Sequence, residues 1–344
     1  MTEFTQTPVL FGPARSLMGM ITTPQAREAA PVACLLLNMG ANHRVGPHRI
    51  NVKLAHALAT QGISNVRFDL GGLGDSAPTI GADHYLTQAI YDIQSAMDML
   101  QQKLGIRQFM IAGLCSGAVN AMAAAVVDPR VVGISMFDGY AFPNRRSRWE
   151  RSFWRALAAP ANPAFLGKAK RGMKRTFARI GGRLAPNGFG RSKVTDPVEN
   201  NAPLNILDPD ISPELTASLF RRSMMNLAER KVAIHMLFSG TLHVRDRHRD
   251  QLGSFSNEPF TQNVRYEFIR EIDHTFTTLL AQQLFVKSIT EWGMAVVAEH
   301  AVQAAASRLV VHEVPDVPAV SAVSAVSARQ HGRTAQGHAG LVPR

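Results

Sequence analysis

The sequence predicts an α/β protein: a mostly parallel central sheet with helices on both faces. Three observations carry this expectation. Short apolar runs of strand length recur, segments of helical spacing alternate with them through residue 138, and the runs end in glycine-rich turns. Strands and helices that alternate along a chain imply crossover connections, and these bury a parallel sheet on both sides. The 344 residues, 46% of them hydrophobic, suffice for one large domain with an insertion or for two small domains.

In chain order, residues 8–22 alternate loosely and read as an opening hairpin. Cys34-Leu35-Leu36-Leu37-Asn38 is a buried strand that ends at Met39-Gly40, and residues 51–61 have helical spacing. Residues 64–70 form the next strand, closed by the turn Gly71-Gly72-Leu73-Gly74-Asp75-Ser76. A helix follows over 85–104, with Ile90, Ile93, Met97 and Leu100 on one face. Residues 109–112 are a strand, 118–127 a helix of small residues, and 131–137 a strand that ends at Asp138. The pattern then breaks. Residues 141–230 are basic, contain proline and have mainly helical spacing, and strand signals resume at 232–238 and 264–269 before a last helix over 277–297. This reads as a core made of 1–140 and 231–300, with a helical lid insertion at 141–230. Residues 301–344 read as a disordered tail, rich in Ala, Val, Ser and Pro, whose last four residues, Leu-Val-Pro-Arg, look like a tag remnant.

Composition excludes several classes. No apolar run reaches the ~18 residues of a membrane span, and the first residues lack the pattern of a secretory signal. Two cysteines, Cys34 and Cys115, rule out a disulfide framework and point to a reducing cytosol. They also rule out a thiol-built metal site, and no His-Glu-x-x-His is present, so no metal or cofactor is expected.

The most informative motif is Gly113-Leu114-Cys115-Ser116-Gly117, between an apolar strand and an Ala-rich helix. A strand, Gly-x-nucleophile-x-Gly and a helix make a nucleophile elbow, a turn so sharp that the residues two before and two after the nucleophile must be small. Centred on Cys115 those positions are Gly113 and Gly117; centred on Ser116 they would be Leu114 and Ala118, and Leu114 would collide. The spacing selects the cysteine. Cys34, in mid-strand, reads as a small core residue.

Together with three further boxes, this motif resembles the α/β-hydrolase superfamily over about residues 10–140 and 230–297. Asn38-Met39-Gly40 stands where members have His-Gly. Phe68-Asp69-Leu70-Gly71-Gly72-Leu73-Gly74-Asp75-Ser76 looks like their Asp-x-x-Gly-x-Gly-x-Ser turn, and Asp273-His274-Thr275-Phe276 looks like the box that carries the catalytic histidine. The resemblance implies an α/β-hydrolase fold and a triad of nucleophile, histidine and acid. His274 is the expected base, and His43, His48 and His243 are alternatives. For the acid, the usual slot after the strand at 232–238 holds His243. Asp138 is therefore favoured, with Asp246 as the alternative. The oxyanion hole is expected from the backbone N–H groups of Ser116 and of Gly40 or Ala41. Asn38, Met39, Asn42, His43 and Arg44 are candidate substrate-binding residues. Members with a Gly-x-Cys-x-Gly elbow resemble dienelactone hydrolases and some thioesterases.

The formal net charge is +11, and fourteen Lys or Arg against three acids fall within residues 141–200, so the rest of the chain is balanced. Phe165, Ala169, Met173, Phe177, Ile180 and Leu184 recur at helical spacing among these charges. Such a basic amphipathic segment fits a lid, a docking face for an acyl-carrier protein or coenzyme A, or contact with an anionic membrane surface. Nucleic acid is disfavoured by the lack of interleaved Tyr or Trp. The expectation is therefore an acyl-transfer enzyme, a thioesterase or acyltransferase working through a Cys115 thioester. An esterase or lactone hydrolase with the same triad, and a non-catalytic binding module with an inert Cys115, are the alternatives.

Overall fold

A computed structural model of the chain describes residues 3–37, 39–78, 84–142, 213–242, 245–247 and 249–312. Contacts divide the chain into Met1–Val302 and Gln303–Arg344, and the second unit is described only as the end of a helix. Among the described residues nine strands make one sheet. The hairpin β1 (Phe4–Phe11) and β2 (Leu17–Pro24) is antiparallel, and β2 pairs antiparallel with β4 (Asn65–Phe68). From there the sheet is parallel: β4, β3 (Val32–Leu36), β5 (Gln108–Leu114), β6 (Val131–Phe137) and β7 (Ala233–Leu242), with β9 (Val264–Asp273) on β7. A two-residue strand β8 (Arg245–Asp246) turns back antiparallel on the end of β7.

Helices α1 (Ile50–Thr60) and α5 (Leu279–His312) supply the apolar side chains of one face. Helices α2 (Tyr85–Leu104), α3 (Ser116–Val127) and α4 (Pro213–Glu229) supply those of the other. This explains why β5 reads as an unbroken apolar run. Phe109 and Ile111 enter the core under α2 and α3, whereas Met110 and Ala112 enter the core under α1 and α5. Period-two alternation is invisible in sequence when both faces are dry. The stripe Ile90, Ile93, Met97 and Leu100 is buried as expected.

Two boundaries differ from the sequence expectation. Helix α5 runs to His312, past the start of the expected tail, because 298–312 is rich in Ala, a strong helix former. The far end of the expected insertion is α4, whose Leu219, Phe220, Met224 and Leu227 are buried in the core. The remainder of that segment, 143–212, and residues 313–344 lie outside the described residues. Among the described residues no helix is long and apolar enough to cross a membrane.

Candidate active site

The parallel strands deliver three side chains to their carboxyl ends. Cys115 follows β5 at φ 55°, ψ −112°, a region an L-residue enters only when its surroundings force it. The forcing is visible at Gly113, where a Cβ would lie 2.1 Å from the Gly117 carbonyl oxygen. The Cys115 N–H is held by the Phe137 carbonyl at 2.7 Å. Ser116 is the first residue of α3, so the elbow is centred on Cys115 and the positive end of the helix dipole lies behind its sulfur.

Asp138 follows β6, also at positive φ (52°), with its N–H on the Leu237 carbonyl at 3.0 Å. The carboxylate is fully buried and fully bonded. Oδ2 accepts from His274 Nδ1 at 2.8 Å and from Ser239 Oγ at 2.5 Å, while Oδ1 accepts from the Ser239 N–H at 3.0 Å and from the Arg247 guanidinium. His274 sits in the turn after β9, its N–H on the Thr241 carbonyl at 3.0 Å. Asp273 fixes that turn by accepting the backbone N–H groups of Thr275 (3.0 Å) and Thr277 (2.8 Å). Phe137 packs parallel to the imidazole at 6.1 Å.

The Cys115 thiol is hydrogen-bonded to His274, and this bond lowers its pKa from 9.0 against the opposing effect of burial; the Ser116 N–H assists. His274 moves the other way. Burial disfavours its charge, but the bonds to Asp138 and Cys115 outweigh burial and raise its pKa from 6.5 to about 9. Both shifts favour a thiolate–imidazolium pair, the reactive form of a cysteine nucleophile. Cys34 is the contrast, with a thiol that complete burial pushes up to about 12.

The structure thus brings together Cys115, His274 and Asp138. The side chain of the alternative acid, Asp246, lies outside the described residues, as do Asn38 and His243. The loop after β3 meets the elbow directly: the Gly40 N–H donates to Ser116 Oγ at 2.8 Å, while Ala41 is exposed. Of the expected oxyanion donors, the Ser116 N–H lies at the sulfur and the Gly40 N–H is turned to the neighbouring hydroxyl. Met39 is buried, and Asn42 closes the loop through Nδ2 to the Met39 carbonyl at 2.8 Å.

His43 and Arg44, considered above as substrate contacts, are engaged elsewhere. The Arg44 guanidinium, with the side chain 12% exposed, bonds Asp69 at 2.5 Å and Asp75 at 2.8 Å, and His43 Nε2 is 3.2 Å from Asp75. They tie the loop after β3 to the turn after β4. His43, Asp69 and Asp75 also bring metal-type ligand atoms within 4.8 Å of one another, but the Arg44 guanidinium already lies among them.

Sequence reasoning missed Ser239 and Arg247. Ser239 stood in plain view after the strand at 232–238. Arg247 carried no signal, since its placement depends on β8 folding back on β7.

No family model matches the sequence, and no curated protein matches it. Solved structures do. A putative lipase from Acinetobacter baumannii is similar with a TM-score of 0.50 at 14% identity, over 87% of this chain and 93% of that one. An α/β serine hydrolase without a lid from Xanthomonas campestris gives 0.47 at 13%, over 85% and 94%. A dienelactone hydrolase from Anabaena variabilis gives 0.46 at 14%, over 85% and 98%. At these identities the likeness is one of architecture. The strand order, the elbow and the positions of its partners, with the likeness to the lipase at a TM-score of 0.50, define the class: the chain has the α/β-hydrolase fold.

Proposed function

We propose that this chain is an acyl hydrolase of the carboxylesterase or lactone-hydrolase kind, with Cys115 as nucleophile, His274 as acid and base, and Asp138 as the orienting carboxylate. The observation that carries the reading is the continuous relay from the strained Cys115 through His274 to Asp138. In this reading the thiolate adds to the carbonyl carbon. The Ser116 N–H and the Ser116 hydroxyl, whose oxygen already accepts from Gly40, stabilise the oxyanion. Imidazolium gives its proton to the leaving alkoxide as the carbon–oxygen bond breaks, leaving a Cys115 thioester. Neutral His274 then takes a proton from water. The hydroxide adds to the thioester, and the carboxylic acid leaves as thiolate and imidazolium re-form.

A non-catalytic module with an inert cysteine would show a raised Cys115 pKa, as Cys34 does; the direction at Cys115 is opposite. The preference for a thioester donor drawn from the charge of residues 141–200 rests on residues outside the described set, so the reading taken here is the ester or lactone. Intact-mass analysis after brief exposure to p-nitrophenyl acetate is the test. One acetyl adduct is expected on wild type and on Ser116→Ala, and none on Cys115→Ala. An adduct that persists in Cys115→Ala but disappears in Ser116→Ala assigns the chemistry to the serine and sinks the proposal.

A further inference from the structure

Away from the elbow, and among the described residues, the buried guanidinium of Arg67 has no counter-charge. Arg67 lies on β4, paired across to Met20 of β2 and Leu36 of β3, and is 6% exposed. Its Nε and Nη1 are buried without a hydrogen-bond partner, and among the described residues no carboxylate bonds the guanidinium. The next acid on that face, Asp69, gives one oxygen to the Arg44 N–H and the other to the Arg44 guanidinium and the Asp75 N–H. An arginine keeps its proton even when buried, and a buried charge without a partner is costly. A stable fold retains such a group where something from solution neutralises it.

The place is fixed by the neighbouring bond from Asn65 Nδ2 to the Ala55 carbonyl, 2.9 Å, which pins β4 to α1. Helix α1 connects parallel strands β3 and β4, so it runs against their direction. Arg67 is two residues further along the same strand face, about 7 Å. At about 1.5 Å per helical residue, that puts it beneath the first turn of α1. That turn has Arg49 as its N-cap residue, no capping side chain and no acidic residue; its Ile50 and Asn51 N–H groups go to the Pro47 and Val45 carbonyls, and the positive end of the helix dipole has no acidic side chain against it. His56, one face-turn further along, stacks on Phe4 at 4.5 Å and contacts Gln6 at 3.1 Å, closing the side towards β1. Burial first, then Arg67 and Arg49, disfavours a proton on His56; burial first, then Arg44 and Arg49, disfavours the charge on Arg67. Asn51 Oδ1 and Asn65 Oδ1 are unpartnered acceptors under the same helix. A water molecule would bridge them to Arg67 and still leave its charge uncompensated.

We propose that β4 and the first turn of α1 form a binding site for a phosphate-type oxyanion, held by Arg67 and Arg49 with His56 at its side. The guanidinium fork matches a tetrahedral oxyanion, and the positive end of the helix dipole favours its charge. The site needs none of the chemistry assigned to Cys115.

The test is thermal melting of the full chain in inorganic phosphate against sodium chloride at equal ionic strength, for wild type, Arg67→Met and Arg49→Gln. Phosphate should raise the wild-type Tm saturably beyond the chloride control. Arg67→Met should melt at or above wild type without phosphate, since it removes an uncompensated charge, and should not respond to phosphate, so the order of the two proteins crosses. Arg49→Gln should need several-fold more phosphate for half-saturation. The proposal is overturned if phosphate acts no differently from chloride, if Arg67→Met responds like wild type, or if Arg67→Met is less stable by the same margin in both salts. Should Arg67→Met not fold, calorimetric titration of phosphate into wild type and Arg49→Gln decides on the same criteria. Coenzyme A supplies the arm for the anion's source. Saturation no tighter than phosphate assigns the free ion, and tighter saturation weakened in Arg49→Gln assigns a phosphate carried on a larger molecule.

Discussion

Replacing Asp138 by Asn changes one atom and tests the whole relay. The carboxylate receives two donors from Ser239 and one from Arg247 besides His274. An amide in that pocket must keep its oxygen towards the Arg247 and Ser239 donors, which turns its NH2 towards His274 Nδ1. Nδ1 is then forced to be an acceptor, the proton moves to Nε2, and the ring can no longer accept from the thiol. The electrostatic loss adds to the tautomer error. A histidine pKa lifted from 6.5 to about 9 means the imidazolium is favoured by roughly 3 kcal/mol, a gain shared between Asp138 and Cys115. Together these predict a fall in kcat/KM of about 10²–10⁴-fold, with KM little changed. Initial rates on a p-nitrophenyl ester across pH give the first readout, and the pH dependence of iodoacetamide alkylation gives the second. In wild type the alkylation midpoint should lie below that of a free thiol, and in Asp138→Asn it should move up towards the ordinary value of about 8.5. Activity within five-fold of wild type, with an unmoved alkylation midpoint, would refute the reasoning.

Other expectations follow from the same geometry. Gly113→Ala places a methyl 2.1 Å from the Gly117 carbonyl oxygen; it should destabilise by more than about 3 kcal/mol, and a Tm within a few degrees of wild type would contradict this. Ser116→Ala removes the acceptor of the Gly40 N–H and should lower kcat about 10–100-fold while leaving the Cys115 alkylation rate unchanged; an equal loss in both would mean that the hydroxyl serves the thiol rather than the oxyanion. Because the folded His274 pKa of about 9 lies above the unfolded 6.5, its stabilisation is complete below pH 6.5 and is lost as pH rises through 9. The Tm advantage of wild type over Asp138→Asn should therefore be greatest at the acid side of that window and shrink across it. A gap that widens with pH would reverse the assigned sign.

Much of this architecture was readable because two signals reinforce each other. Apolar runs located β3 to β7 and β9 within a few residues, and Gly113 and Gly117 located the turn that only small residues permit. Asp138 was readable because a carboxylate ending a buried strand demands partners. What could not be read depends on bonds between residues far apart in the chain. Arg44 looks the same in sequence whether it greets a substrate or, as here, Asp69 and Asp75. Ser239 and Arg247 reach Asp138 only after β7 and β8 have paired, and no local pattern records that. The end of α5 was misjudged because Ala-rich sequence suits a helix and a low-complexity tail equally well.

The two cysteines answer opposite questions about the same molecule. In the proposed reading Cys115 draws its reactivity from a strained turn and a bonded histidine, and loses that reactivity when the chain opens. Cys34 is sealed in β3 between β4 and β5 and becomes alkylable only when the middle of the sheet separates. A mass spectrum taken after a short alkylation pulse near neutral pH therefore sorts molecules into two populations. Those carrying one label at Cys115 were folded with the site assembled, and those with label at Cys34 had parted at the centre of the sheet. If Cys115 reacts as proposed, the chain carries its own internal standard for how many of its copies have the site assembled, independent of any substrate.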